Sequence, residues 1–144
     1  MRNWERAEVK VPKKIGGKRS PGSGNGYWEG DIRNSTFLIE MKETGRKFMT
    51  ISIPWFFKIS DEASRSRKSP VLGIEFNDGS QIFFVKSKMV ELINKKSLDW
   101  LNSTSVRVYP GDLEEGDKVI TKYGLWVLIT IETLRDLSEE QLHE

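Results

Sequence analysis

One short run, Phe37-Leu38-Ile39-Glu40-Met41-Lys42, constrains this chain more than any other stretch. A β-strand sends successive side chains to opposite faces, so Phe37, Ile39 and Met41 share one face and Leu38, Glu40 and Lys42 the other. The first face is expected to be core and the second to carry chemistry. Just before it, Arg33-Asn34-Ser35-Thr36 reads as a turn. A tight hairpin centred between Ser35 and Thr36 sets Asp31 across from Glu40. Both carboxylates then lie on one face, with Lys42 beside them.

Two carboxylates held so close repel unless a cation sits between them, and hard oxygen ligands suit Mg²⁺ or Mn²⁺. Such an ion on a phosphate lowers the pKa of an attacking water and offsets transition-state charge. Lys42 is placed to position that water or to stabilise the developing negative charge. The expected chemistry is therefore metal-assisted hydrolysis of a phosphodiester.

The distribution of charge points to a polyanionic substrate. The net charge of the 144 residues is only +2, but residues 1–24 hold seven basic side chains (Arg2, Arg6, Lys10, Lys13, Lys14, Lys18, Arg19) against Glu5 and Glu8, a local net of +5. The remainder carries −3. A basic segment beside a metal site suits nucleic acid. The loop GGKRSPGSGNG, residues 16–26, reads as a linker by composition. Its glycines also allow close approach of backbone to phosphate, and Lys18, Arg19, Ser20 and Ser23 supply charge and hydroxyls.

Other chemistries are excluded or unsupported. With no cysteine there is neither a disulfide nor a thiolate metal site. The single histidine, His143, lies one residue from the C-terminus, which argues against imidazole acid–base catalysis. No GxxxxGK[ST] loop supports a nucleotide cofactor. No segment approaches the ~18 apolar residues of a membrane span, and the N-terminus lacks a signal-peptide core, so a soluble cytoplasmic protein is expected.

Taken together, Glu8, the loop from Gly16 to Gly24, Gly30-Asp31 and Glu40-Met41-Lys42 resemble the PD-(D/E)XK nuclease superfamily, and within it the Holliday-junction resolvases of archaeal and phage kind. The likeness covers roughly residues 4–85. Gly30 stands where the motif's proline would be, and Pro12 interrupts the helix expected over residues 3–15. The resemblance implies an α/β fold with a central mixed β-sheet flanked by helices, a restriction-endonuclease-like core. It implies that Glu8, Asp31 and Glu40 bind the metal and that Lys42 assists the attack. Glu5 competes with Glu8 for the helix carboxylate. Arg19 and Ser20 or Ser23 would lie at the DNA backbone, with Lys13, Lys14 and Lys18 adding cations.

Further elements follow from local signals. Lys47–Ile53 reads as a third strand, and Pro54 as the first turn of a helix with Trp55, Phe56, Ile59 and Ala63 inward and Lys58, Arg65, Arg67 and Lys68 outward. Val71–Phe76 and Gln81–Val85 form a hairpin about Asn77-Asp78-Gly79-Ser80. A helix capped by Ser87 is expected to run through Met89, Leu92, Ile93 and Lys96. Short strands at Ser105–Tyr109 and Lys118–Thr121, a buried strand at Leu125–Ile131 and an acidic helix from Glu132 to Leu142 complete the chain. The length suits a single domain, with residues 86–144 of unassigned role.

The reading is a Mg²⁺- or Mn²⁺-dependent endodeoxyribonuclease for branched DNA, expected as a two-fold homodimer because a four-way junction offers two equivalent strands. Two alternatives stay open. One is a non-catalytic nucleic-acid-binding domain using the basic N-terminal segment; the other is an interaction protein using the aromatic helix and the acidic tail.

Overall fold

The computed structural model describes residues 18–19, 32–33, 36–91 and 96–143, with side chains at 36–91 and 96–138. The helix expected over residues 3–15 lies outside them. In chain order the elements are β1 (Lys18–Arg19), β2 (Ile32–Arg33), β3 (Phe37–Glu43), β4 (Met49–Ser52), α1 (Pro54–Arg65), β5 (Ser69–Glu75), β6 (Gln81–Lys86), a 3₁₀ turn (Ser87–Met89), β7 (Ser97–Asp99), β8 (Ser105–Val108), β9 (Lys118–Thr121), β10 (Gly124–Ile129) and α2 (Ile131–His143). The fold is α/β. A mixed sheet runs β1-β2-β3-β5-β6-β10-β9-β7, and β4 and β8 form a separate two-stranded ribbon.

The β3–α1–β5 crossover makes β3 and β5 parallel neighbours, with Glu40 paired to Leu72. Parallel strands need such a crossover and are covered on their faces. Here both faces of the sheet are packed. Phe37, Ile39 and Met41 join Val71, Phe83, Val85, Val127 and Ile129 beneath Ile131 and Leu134 of α2. On the other face Leu38, Leu72, Ile74, Phe84, Trp126 and Leu128 pack against Phe56, Ile59 and Ala63 of α1. The expected split between one core face and one chemical face is therefore corrected: Leu38 belongs to core, and on β3 Glu40 and Lys42 break the apolar pattern of the α1 face.

Helix α1 starts at Pro54, whose fixed φ and missing N–H suit the first helical position. It ends without glycine. Arg67 adopts φ 56°, its N–H bonds Ser64 O at 3.1 Å, and the Lys68 N–H bonds Ala63 O at 2.9 Å. Those two bonds close the helix in a Schellman motif that normally favours glycine at the left-handed position. Helix α2 is anchored differently. Thr130 Oγ1 accepts the Thr133 N–H at 3.2 Å, while Glu115 Oε2 accepts the Thr130 N–H at 2.8 Å and the Thr133 hydroxyl at 2.7 Å.

The β5–β6 turn forms as its sequence dictates, with Gly79 at φ 88° and Asp78 Oδ1 accepting the Ser80 N–H at 2.9 Å. Two expectations change. The segment read as the third strand forms β4, which leaves the central sheet and pairs with β8, Met49 opposite Val108 and Ser52 opposite Ser105. The described part of the helix expected from Ser87 is the 3₁₀ turn Ser87–Met89, without a side-chain cap, followed by Val90 extended at φ −137°, ψ 148°; Leu92 and Ile93 lie outside the described residues. Met89 and Val90, both partly buried, pack on the α2-side core.

Candidate active site on strand β3

Glu40 sits in the middle of β3, 1% exposed, on the face covered by α1. Strand alternation puts it there, and α1 crossing above removes it from water. Neither carboxylate oxygen has a hydrogen-bond partner among the described residues. Two ammonium groups lie near: Lys42 Nζ at 3.4 Å and Lys58 Nζ at 3.8 Å from Glu40 Oε1. Burial raises the Glu40 pKa above the ordinary 4.5; Lys42 and Lys58 oppose the rise, and Glu62 adds to it. Burial wins because charge–charge attraction restores only part of the lost hydration.

Lys42 is held between two groups. Its side chain is 14% exposed, and Nζ lies 4.9 Å from the centre of the Trp55 ring as well as near Glu40. Lys58, at 52% exposure, reaches the same carboxylate from the solvent side. Trp55, Lys58 and Glu62 follow one another at helical spacings of three and four, so one stripe of α1 lines Glu40. Helical periodicity makes that stripe legible in the sequence. What periodicity does not contain is the crossing of α1 over β3, and so Lys58 reads there only as an outward cation.

The hairpin register agrees with the sequence expectation. Ile32 pairs with Ile39 and Arg33 with Leu38, the pairing of a turn centred between residues 35 and 36. On the far side of β2, Lys18 pairs with Arg33 and Arg19 with Ile32. The backbone of these two expected phosphate-contact residues therefore lies two strands from β3. Asp31, Glu8, Glu5, Lys13, Lys14, Ser20 and Ser23 lie outside the described residues. Of the expected catalytic set, Glu40 and Lys42 are brought together.

Two further acids, Glu43 and Glu75, are Cα partners on β3 and β5. Alternation sends them to the α2 side, away from Glu40, and Gln81 Nε2 donates to Glu75 Oε1 at 2.9 Å. Among the described residues, no group of three or more Asp, Glu, His or Cys side chains converges as a metal site. Glu40 alone fits as one oxygen ligand: its Oε1 is shared by Lys42 and Lys58, and its Oε2 is buried with no hydrogen-bond donor among the described residues. No helix among the described residues is long and apolar enough to cross a membrane. No protein-family model and no curated protein matches this sequence.

Proposed function

We propose that this protein is a metal-dependent endodeoxyribonuclease with a restriction-endonuclease-like core, acting on branched DNA as a homodimer. The observation that carries the reading is Glu40: a carboxylate 1% exposed in the core, paired with Lys42 two positions along on the same face of a strand. A protein core tolerates such a group poorly unless it serves a function. Asp31 is proposed as its partner because the sequence expectation pairs it with Glu40, and the described pairs Ile32–Ile39 and Arg33–Leu38 are consistent with that expectation. Glu8 is proposed as a third acid.

Bound between these carboxylates, Mg²⁺ or Mn²⁺ would supply an activated water and neutralise charge on the scissile phosphate. Lys42, pinned by Trp55 and by the Glu40 carboxylate, would orient that water or the attacked phosphoryl oxygen. The α1 helix excludes solvent from Glu40, which strengthens each of these charge interactions. Lys18 and Arg19, on the strand beside β2, together with Lys13, Lys14, Ser20 and Ser23, would track the DNA backbone.

The competing reading is a nucleic-acid-binding domain without catalysis, and one observation favours it: Lys42 and Lys58 already neutralise Glu40 as a salt-bridge cluster would. One experiment separates the two. The protein is incubated with a labelled four-way DNA junction and with linear duplex, in Mg²⁺, in Mn²⁺ and in EDTA. Symmetric nicks in the junction alone, lost in EDTA and in Glu40→Ala, are expected. Binding with no cleavage under any condition hands the case to the binding domain.

A further inference from the structure

The outer face of the β4–β8 ribbon carries a cluster that the nuclease reading does not use. Its inner residues, Met49, Ile51 and Val108, are buried in the α1-side core. Its outer face, in the same alternation, presents Phe48, Thr50, Arg107 and Tyr109. Continuing the register past Met49 and Val108 places Phe48 opposite Tyr109, and their ring centres are 5.5 Å apart, tilted by 52°. The Arg107 guanidinium lies 4.1 Å from the centre of the Phe48 ring, and that of Arg46 lies 5.9 Å away. Tyr109 remains 43% exposed. Its backbone is fixed, because its N–H donates to Asp112 Oδ2 at 2.9 Å and its carbonyl accepts the Asp112 N–H at 3.1 Å.

We propose that this face binds unpaired nucleotides, with a base stacked on Tyr109 and the flanking phosphates on Arg46, Lys47 and Arg107. The charge balance supports a polyanion: residues 44–52 and 105–112 hold these three cations and one carboxylate, Asp112, which is turned to the Tyr109 backbone. The flat aromatic and guanidinium surfaces select further among polyanions. An acidic peptide offers charge without rings, and a membrane surface calls for apolar insertion. A single nucleic-acid strand offers phosphates and base faces in alternation, whereas a duplex hides its base faces within the stack. Phe48 acts as the prop that orients both Arg107 and Tyr109.

Location makes the surface useful. Phe48 lies only six positions after Lys42, so the platform stands at most about 20 Å of chain from the candidate catalytic lysine. From β4 the chain passes through Ile53 directly into α1, which carries Trp55 and Lys58. A strand splayed from a branch point would be held on the ribbon while the adjoining duplex lies at β3. This inference rests on the reading of the protein as one that engages branched DNA.

The test is fluorescence anisotropy of the full chain with fluorescein-labelled oligothymidylate in low salt and EDTA. Tyr109→Ala and Arg107→Ala are each expected to weaken binding about tenfold. Tyr109→Phe, which keeps the ring, should stay within about twofold of the parent. A bromodeoxyuridine oligonucleotide should crosslink to the Tyr109 peptide in the unsubstituted protein, a readout independent of any effect of substitution on folding. The proposal is overturned if the parent fails to bind the oligonucleotide, if the alanine variants bind as well as the parent, or if polyglutamate or phosphatidylserine vesicles bind with the same dependence on Tyr109. Junction cleavage by the same variants separates the two readings. Cleavage with no ribbon-dependent binding removes the platform and leaves the nuclease, while ribbon-dependent binding without cleavage by the parent removes the nuclease and leaves the platform.

Discussion

Lys58 Nζ lies 3.8 Å from Glu40 Oε1, joining the helix of the crossover to the strand it covers. Lys42 lies closer, at 3.4 Å, and is far less exposed. The two lysines should therefore differ in what they contribute. At pH 8, Lys58→Met is expected to cost about 1 kcal/mol, because the half-exposed Lys58 ammonium is screened by solvent although Glu40 is buried. Lys42→Met should cost more, because it also gives up the Trp55 contact and leaves a buried carboxylate less compensated. Urea unfolding of both variants gives the order, and equal costs would refute the unequal roles.

Glu40 makes stability depend on pH with a definite sign. Its folded pKa is raised, chiefly by burial, so the folded chain holds this proton more tightly than the unfolded chain does. The contribution of this group is fully present below about 4.5 and is lost as pH rises through the raised folded value. Glu40→Gln removes that loss. Relative to the parent, its stability should improve as pH rises above about 4.5 and level off once the raised folded value is passed; a gap that never changes would contradict the raised pKa.

A divalent cation should reverse that penalty. With Mg²⁺ at ten times its dissociation constant, linkage adds about 1.4 kcal/mol, or roughly 4 °C in Tm for a chain of this size. EDTA should return Tm to its starting value, and Glu40→Ala should show no shift in either case. A parent protein indifferent to both Mg²⁺ and Mn²⁺ in differential scanning calorimetry would count against the metal site.

Arg67 closes α1 in a left-handed conformation at φ 56°. A side chain there costs about 1–2 kcal/mol, part of which glycine gives back as extra freedom in the unfolded chain. Arg67→Gly is expected to raise stability by about 0.5–1 kcal/mol. A lower Tm in this variant would mean that the Arg67 side chain makes a compensating contact.

Gly73 permits the close packing of the sheet on the α2 side. A Cβ there would collide with Met41 Sδ and come within 2.9 Å of the Phe83 ring. Gly73→Ala should cost about 1–3 kcal/mol through displacement of Met41 and Phe83. Pairing it with Met41→Ala, which vacates the space, should recover part of the loss relative to the sum of the two single changes.

The sequence by itself determined what depends on nearest neighbours along the chain. Alternation fixed which side chains of β3 share a face, and the turn signal in the sequence anticipated the register that pairs Ile32 with Ile39. Pro54 and the spacing of Phe56, Ile59 and Ala63 fixed the start and inner stripe of α1. Asp78-Gly79 fixed the β5–β6 hairpin. These signals are local because steric limits on φ and ψ and the periods of strand and helix act over a few residues.

Only tertiary structure decided what lies against what. Nothing near Glu40 in the chain says that α1 will bury it or that Lys58 will reach it, since the crossing of a helix over a sheet depends on the fit of distant apolar surfaces. Val90 is extended where the local pattern read helix, and it packs on the α2-side core; tertiary contacts of that kind override the few tenths of a kcal/mol that separate local preferences. The pairing of β4 with β8 joined Phe48 to Tyr109 across 60 positions of sequence, a juxtaposition that no local pattern encodes.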